Sequence, residues 1–344
     1  MLQKVRVEDS VGTVLAHDLT KIVPGEFKGR RFKKGHIIQA EDIPELLRMG
    51  KEHLYVLALG PDEVHEDEAA IRLARAVAGD GDHGLEFSEP QEGKVNIIAT
   101  RDGLLKINLA VLEEVNNRPD VILATLHNNY PVRAGQVVAG TRLIPLVGPR
   151  AEIERIEEVC RRAGGIIRVA PYRRLRVGLI TTGNEVYKGR IKDAFGPVVR
   201  AKIAAYGSEV VREEVVPDDA EAIRQAIATM IAAGMEMVVL TGGMSVDPDD
   251  VTPEGIRRSG AEVVTYGAPV LPGAMFMLAY LGEVPVMGLP GCVMYYRATI
   301  FDLVLPRVLA GERLQRKDIA GLAAGGLCQG CPQCRYPACA FGKG

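Results

Sequence analysis

The chain has 344 residues, of which 47% are apolar and 25% charged, so the sequence predicts a globular protein of two or three domains. Its formal net charge of −2 gives no basis for bulk binding to nucleic acid. No apolar run is long enough to span a membrane, and the first residues lack the apolar stretch of a secretion signal, so we expect a cytoplasmic protein with no membrane partner.

The first 150 residues form two predicted segments. Residues 1–61 combine short strand patterns, a glycine- and lysine-rich turn and one short helix. Residues 62–150 open with an acidic helix that Gly79 closes, and they continue as strand patterns separated by turn residues. We expect residues 62–150 to be an inserted domain that is β-rich or of the α+β class.

Residues 171–312 show a regular alternation of strand and helix patterns. The strand patterns RVGLITTG, SEVVREEVV and MEMVVLTGG are each followed by a helix pattern. TPEGIRRSG predicts a helix with Thr252 as its N-cap, and residues 292–311 predict one long, largely apolar helix. Continuous apolar strands that alternate with helices predict an α/β domain, in which helices cover both faces of a mostly parallel sheet in three layers.

Four glycine turns follow strand patterns of this domain. We call them the first loop (TTGNEV, 181–186), the second loop (TGGMSVDPDD, 241–250), the third loop (LPGA, 271–274) and the fourth loop (LPGC, 289–292). In open α/β sheets ligands bind beyond the carboxyl ends of the strands, so the four loops can line one rim. Glycines let backbone N–H groups approach an anion, although a tight turn alone also explains them.

The acidic residues of the second loop are candidate metal ligands. Asp247, Asp249 and Asp250 can cap the next helix, or they can hold Mg²⁺, which prefers a few carboxylates together with substrate phosphates. A glycine turn for the phosphate and carboxylates for a bridging metal are compatible. The second loop therefore indicates a phosphorylated ligand with a metal ion.

The run from TTGNEV through TGGMSVDPDDVTPEG to LPGC resembles the molybdopterin-binding domain that the MoaB/Mog and MoeA families of molybdenum-cofactor biosynthesis share. The resemblance covers about residues 171–312, and the first 60 residues are similar to the N-terminal part of MoeA-type proteins. It implies that the loops bind the dithiolene–phosphate end of molybdopterin. It also implies that Asp250 lies in the active site, with Asp247 and Asp249 as further catalytic candidates. The cofactor-binding residues implied are Thr182, Gly183, Asn184, Glu185, Thr241, Gly242, Gly243, Met244, Ser245, Pro272, Gly273, Leu289, Pro290 and Gly291.

The chain departs from the MoeA pattern at several positions. PGAMF (272–276) lacks the lysine that commonly follows the PG of the third loop, and LPGCVM (289–294) stands where LPGNP is usual. DAFG (193–196) replaces an Asp-Ser-Asn run, and only about 30 residues follow the last helix in place of a β-barrel. These departures weaken the expectation of molybdate insertion more than the expectation of pterin binding.

Two functions follow from the resemblance. The first is a molybdopterin molybdenumtransferase or adenylyltransferase that uses Mg²⁺ with ATP or molybdate. The second is a non-enzymatic carrier or sensor of the cofactor that docks on a molybdoenzyme through its C-terminal tail. In both, the partners are other molybdenum-cofactor proteins, and the resemblance implies a homodimer. An electron-transfer protein is a third alternative that the sequence favours less.

Four of the six cysteines lie close together in the C-terminal tail (residues 320–344). Cys328, Cys331, Cys334 and Cys339 follow the spacing C-x₂-C-x₂-C-x₄-C, which predicts metal chelation rather than a disulfide framework. An Fe–S cluster and tetrahedral Zn²⁺ both fit, the cluster slightly better, and thiolates also suit Cu(I). Because glycines flank the cysteines, we expect a flexible tail that is disordered without metal and folds on it.

Overall fold

The computed structural model of the protein describes residues 2–23, 27–57, 59–91 and 93–343, which divide into two compact units. The first unit contains residues up to 100 together with 107–126 and 134–168. The second contains 101–106, 127–133 and the chain from 169 onward, so residues 171–312 and the C-terminal tail belong to the same unit. The finer division into segments 1–61, 62–150, 171–312 and 320–344 stays a prediction.

The helices and strands follow one another as short elements. The strands are β1 (Leu2–Arg6), β2 (Val14–Leu15), β3 (Leu19–Val23), β4 (Phe27–Phe32), β5 (His53–Leu57), β6 (Glu63–His65), β7 (Leu85–Phe87), β8 (Lys94–Ala99), β9 (Gly103–Ile107), β10 (Val121–Thr125), β11 (Pro131–Val132), β12 (Val137–Leu143), β13 (Val147–Pro149), β14 (Ile167–Pro171), β15 (Arg176–Thr182), β16 (Glu209–Val216), β17 (Met237–Thr241), β18 (Glu262–Tyr266), β19 (Met277–Leu281) and β20 (Val284–Leu289). The α-helices are α1 (Ile43–Arg48), α2 (Glu66–Ala78), α3 (Leu109–Asn116), α4 (Arg150–Ala163), α5 (Asn184–Tyr187), α6 (Phe195–Ala204), α7 (Ala220–Ala232), α8 (Thr252–Arg258), α9 (Ile300–Leu309) and α10 (Arg316–Ala320).

The first unit is built from antiparallel sheets and helices. One sheet has the strand order β1–β5–β2, and another has the order β10–β12–β8–β7. Helix α2 follows its acidic first turn and ends at Gly79, as predicted. Helix α4 buries one stripe of residues that includes Cys160, and burial raises the pKa of this thiol to about 11, as expected of a core cysteine. The short helix α3 escaped the sequence analysis because its eight residues carry too little periodicity.

The second unit contains a six-stranded sheet with the order β16–β15–β17–β20–β19–β18. The first four strands are parallel, whereas β19 runs antiparallel to both β20 and β18. The predicted α/β class with a mostly parallel sheet is therefore confirmed. Strand β19 was not predicted, because a short apolar run cannot be told from a helix segment by its periodicity.

Helices cover both faces of this sheet, which gives the three predicted layers. On one face, side chains such as Leu179 and Met287 share a buried core with residues of α6 and α9. On the other face, Ile180 and Leu240 share a core with residues of α7 and α8. Alternate residues of each strand thus meet opposite helix layers, which explains why the strands are apolar throughout.

The helix predicted over residues 292–311 is wrong at its beginning. Residues Gly291–Met294 form a 3₁₀ turn, and α9 begins only at Ile300. The start is fixed by Thr299, whose Oγ1 accepts from the N–H of Phe301 at 3.2 Å, while its own N–H donates to Asp302 at 2.8 Å. This capping box ends the preceding loop. Within the described part of the chain, no helix combines the length and apolarity that a membrane crossing requires.

The C-terminal tail is also more ordered than predicted. The Tyr336 hydroxyl donates to the carbonyl oxygen of Asp302 at 2.8 Å, and the Phe341 side chain is 4% exposed in the core below α9. Leu271 pairs with Leu327 in a parallel bridge. The prediction of a disordered tail failed because two aromatic anchors and backbone pairing outweigh the freedom that the glycines confer.

The sheet core is tested by truncating Phe301, a fully buried residue in the first turn of α9. Phe301→Ala removes this side chain from a packed core, so we expect the free energy of unfolding to fall by about 3–5 kcal/mol. Val211→Ala on the edge strand β16, where the side chain is 40% exposed, is the control and should change it by about 0.5 kcal/mol or less. Urea denaturation measures both, and equal losses would contradict the assigned core.

Candidate functional site

The four predicted loops lie at one edge of the six-stranded sheet. Thr241 pairs with Thr181 on β15 and with Leu289 on β20, so three parallel strands end side by side. Strand β19 is antiparallel, and its first residue, Met277, pairs with Gly288 at the same edge. The third loop precedes Met277 and therefore joins the other three. The predicted rim of loops is confirmed.

A buried hydroxyl pair joins the first loop to the start of α8. Thr182 Oγ1 lies 2.9 Å from Thr252 Oγ1 and donates to the carbonyl oxygen of Thr241 at 3.2 Å, so Thr252 is the donor within the pair. The Thr252 N–H donates to the carbonyl oxygen of Gly243 at 3.1 Å. The prediction that Thr252 is the N-cap of α8 is wrong: Val251 holds that position and Thr252 is the first residue of the helix, with its hydroxyl hydrogen-bonded to Thr182.

The glycines of the second loop are required by its backbone. Gly242 and Gly243 have φ values of +88° and +55°, a region that side chains other than glycine rarely occupy. A Cβ on Gly242 would collide with the carbonyl oxygen of Thr182, and one on Gly243 would lie 2.7 Å from Thr252 Oγ1. Both glycines thus have the structural role of a tight turn, which was the alternative to anion binding. They also let the second loop pack directly against the first.

Asp218 is a site residue that the sequence analysis missed. It follows strand β16, which ends at the same edge because Val216 pairs with Thr182, and we call residues 217–219 the fifth loop. Asp218 Oδ2 accepts from the N–H of Asn184 in the first loop at 2.8 Å. The Pro-Asp-Asp run after an apolar strand carries a signal for this residue, but acidic residues at that place equally indicate the start of a helix.

Carboxylates from three loops converge around Asp218. Burial raises the pKa of this residue above its ordinary value, and the negative charges of Glu185, Asp249 and Asp250 raise it further. Hence Glu185 of the first loop and two aspartates of the second loop lie within electrostatic reach of the fifth loop. We call Glu185, Asp218, Asp249 and Asp250 the acidic cluster.

The aspartates of the second loop close a turn on themselves. The Asp250 N–H donates to the carbonyl oxygen of Asp247 at 2.9 Å, and the Asp247 N–H donates back to Asp250 Oδ2 at 3.3 Å. Asp250 is half-buried, whereas Asp247 and Asp249 are exposed. Helix α8 has Val251 at its N-cap position and no side-chain cap. The three aspartates therefore do not cap helix α8, and Asp247 and Asp250 hydrogen-bond to each other instead.

The remaining predicted residues fall into buried and accessible sets. The Met244 side chain is 3% exposed and belongs to the sheet core, so only its backbone faces the rim, beside the exposed Ser245. The Tyr266 hydroxyl donates to the carbonyl oxygens of Met244 at 3.0 Å and Ser245 at 3.1 Å, a loop support that the sequence did not reveal. In the fourth loop, Leu289 and Pro290 are buried and Gly291 is exposed.

The third loop is fixed by α9 below it. The Ile300 N–H donates to the carbonyl oxygen of Pro272 at 3.3 Å. Gly273 has a φ of +133°, and a Cβ there would lie 2.7 Å from Ile300 Cβ. Only glycine fits at position 273, because the Ile300 side chain occupies the space that a Cβ would need.

The four cysteines predicted as metal ligands share one cavity of the C-terminal tail. Cys331 and Cys334 are exposed, and Cys328 and Cys339 are half-buried. Across the described residues, no three Cys, His, Asp or Glu side chains are already arranged around a common ion position.

The hydroxyl pair is tested by a double-mutant cycle. Thr182→Val leaves the buried Thr252 hydroxyl without its partner, so we expect a loss of about 1–3 kcal/mol in the free energy of unfolding, and the same for Thr252→Val. The double variant Thr182→Val/Thr252→Val removes both groups together and should lose less than the sum of the two. Strict additivity in urea denaturation would contradict the pair.

The acidic cluster predicts a pH dependence of stability. Because the pKa of Asp218 is raised on folding, the folded protein binds this proton more tightly than the unfolded chain does. The free energy of unfolding therefore falls as the pH rises from the ordinary aspartate pKa, about 4, through the raised value. Asp218→Asn should lose this dependence and keep the contact to Asn184. The exposed N-cap variant Asp219→Asn should retain it, and identical pH profiles for wild type and Asp218→Asn without divalent ions would contradict the cluster.

Comparison with family models matches two parts of the chain. Residues 178–310 match the family described as "Probable molybdopterin binding domain", and residues 4–58 match a domain of unknown function. A molybdopterin molybdenumtransferase of Haemophilus influenzae is 29% identical over 163 residues, which cover 44% of this chain and 40% of that protein. A CinA-like protein of Geobacter sp. is 36% identical over 85 residues, or 25% of this chain and 20% of that protein. The matches thus span less than half the length of these two relatives.

Solved structures of molybdenum-cofactor proteins also align with the chain. MoaB of Thermus thermophilus aligns with 20% identity and a TM-score of 0.33, covering 40% of this chain and 98% of that one. A molybdenum cofactor biosynthesis protein of Pyrococcus furiosus aligns with 13% identity and a TM-score of 0.26, covering 90% of this chain and 63% of that one. These scores are low, and the α/β assignment rests on the strand order. The family match places residues 178–310 in the molybdopterin-binding domain family of molybdenum-cofactor biosynthesis, as the loop motifs predicted.

Proposed function

We propose that the protein binds molybdopterin at the rim formed by the five loops of the six-stranded sheet. The observation that carries this proposal is that these loops meet at one edge of a domain that matches the molybdopterin-binding family. The edge combines a glycine turn, which suits a phosphate, with the acidic cluster. Loops beyond the carboxyl ends of parallel strands are the usual ligand site of such a sheet.

The acidic cluster supports a role for Mg²⁺. Burial raises the pKa of Asp218, and repulsion from the carboxylates of Glu185, Asp249 and Asp250 raises it further. A divalent cation between carboxylates and a phosphate relieves this repulsion, and oxygen ligands of this kind are those that Mg²⁺ prefers. Asp250 is the best placed of the predicted ligands, because it is half-buried and adjoins the turn. Bound Mg²⁺ would supply charge neutralisation for a phosphate at the second loop.

An enzyme built on this rim works mainly by positioning its substrates. In adenylyl transfer, a phosphate oxygen of molybdopterin attacks the α-phosphorus of ATP, a new P–O bond forms and pyrophosphate leaves. The second loop would orient the phosphate, and the Thr182–Thr252 pair would hold that loop against the first. Molybdate insertion into molybdopterin is the second reaction that the resemblance to the MoaB/Mog and MoeA families implies.

A second candidate function is a carrier or sensor that binds the cofactor without turnover. It is favoured by the third loop, where the Leu271 N–H donates to the carbonyl oxygen of Gly326 at 2.8 Å. The C-terminal tail thus adjoins a loop that lacks the lysine common in MoeA proteins. A tail at this position can link cofactor binding to a partner molybdoenzyme.

Binding and turnover of molybdopterin separate the two functions. Wild type, Asp250→Ala and the control Asp247→Ala are each mixed with molybdopterin, Mg-ATP and molybdate. For an enzyme, we expect Asp250→Ala to lower turnover by about 10²-fold, the scale for removal of one charge-stabilising group, while binding persists. We expect Asp247→Ala to have a smaller effect, because the Asp247 side chain is exposed whereas that of Asp250 is half-buried.

Each outcome of this assay decides between the candidates. Binding without turnover in wild type would eliminate the enzyme and leave the carrier. Absence of molybdopterin binding in wild type, with and without Mg²⁺, would eliminate both.

A further inference from the structure

The C-terminal tail brings four thiols to one cavity. Cys328, Cys331, Cys334 and Cys339 line a cavity of about 290 Å³, and all four are free thiols in the structure. Four cysteines around one cavity are unusual for a structural core, because two of them are exposed to solvent. Thiolates in such a group are ligands for soft or borderline metals.

The backbone holds the cavity in a defined place on the second unit. The Cys328 N–H donates to the carbonyl oxygen of Leu271 at 2.8 Å, and the Gly342 N–H donates to the carbonyl oxygen of Gly325 at 2.9 Å. The first contact fixes the beginning of the cysteine run to the third loop, and the second closes the ends of the tail on each other. The run between them is therefore a closed loop with fixed ends.

Aromatic side chains anchor the loop from inside. The Tyr336 and Phe341 rings meet edge to face with their centroids 6.2 Å apart, and both pack on the sheet core. Tyr336 lies between the third and fourth cysteines, so its hydrogen bond to Asp302 holds this part of the loop on α9. Cys339 is half-buried beside these anchors, whereas Cys331 and Cys334 lie on the outer turn. Two of the four cysteines, Cys328 and Cys339, are thus packed against the core, and the other two are exposed to solvent.

The charges around the cavity suit a metal with four thiolates. Four thiolates with one Zn²⁺ carry a net charge of −2, so the complex needs nearby positive charge. Arg297, which precedes the cysteine run, and Arg335, which lies within it between Cys334 and Cys339, both line the cavity. Each thiol that binds a metal releases its proton to solvent, and the two guanidinium groups offset part of the negative charge of the complex.

We propose that Cys328, Cys331, Cys334 and Cys339 form a four-thiolate metal centre that adjoins the third loop. The shared chemistry is thiolate ligation, and an iron–sulfur cluster or a single Zn²⁺ ion can supply the metal. Binding brings the exposed Cys331 and Cys334 onto the metal together with the half-buried Cys328 and Cys339. Because the cysteine run begins beside Leu271, the metal centre would lie at the rim that is proposed to bind molybdopterin. This link between the metal centre and molybdopterin rests on the proposed function.

The test is the metal content of the full-length protein. Wild type, purified anaerobically without molybdopterin, is analysed for iron, zinc and acid-labile sulfide. The test variant is Cys331→Ser/Cys334→Ser, whose two positions are exposed and spare the core. The control is Cys292→Ser, a half-buried cysteine that does not line the cavity. Urea denaturation checks that both variants remain folded.

We expect one centre per chain in wild type and in Cys292→Ser, and none in the double variant. Iron with sulfide identifies a cluster, and zinc without iron identifies a single ion. The proposal is overturned if wild type contains no metal and binds no added Zn²⁺ in calorimetry, or if the folded double variant retains as much metal as wild type. Asp250→Ala should keep its metal, so a failure of molybdopterin binding and a failure of this centre are distinguished.

Discussion

The buried contact between Thr182 and Thr252 is the interaction on which the candidate site depends. It joins the carboxyl end of β15 to the amino end of α8 at 2.9 Å, across the second loop. Gly242 and Gly243 have positive φ values so that this loop can pass close to the first one. If the threonines were separated, the second loop would lose its support, and the carboxylates at its far end would no longer be held near Asp218.

The acidic cluster is the electrostatic consequence of that geometry. Parallel strands deliver the first, second and fifth loops to one edge, and each contributes carboxylates. Burial and the neighbouring carboxylates raise the pKa of Asp218, and a shifted pKa of this kind is typical of functional sites. The same edge receives the third loop, to which the C-terminal tail is joined through the backbone of Leu271. The glycine turn, the acidic cluster and the start of the cysteine run thus adjoin along a single rim.

Much of this arrangement could be predicted from the sequence. Apolar strands with glycine ends predicted a mostly parallel sheet and a rim of loops, because strand ends in such a sheet share an edge. Asp218 could not be singled out, since an aspartate before a helix usually serves as a cap, as its neighbour Asp219 does. Strand β19 and the true start of α9 were missed because both depend on tertiary pairing and on one capping box. The ordered tail depends on Tyr336 and Phe341, whose burial the glycine-rich composition does not reveal.

Binding of molybdopterin at the rim of loops is tested most directly by a crystal structure of the protein with molybdopterin and Mg²⁺. We expect the ligand's phosphate within hydrogen-bonding distance of the backbone N–H groups of the second loop. We expect the metal between that phosphate and Asp250, close to Asp218. A molybdopterin molecule bound elsewhere on the protein, with the rim of loops empty, would contradict the proposed site.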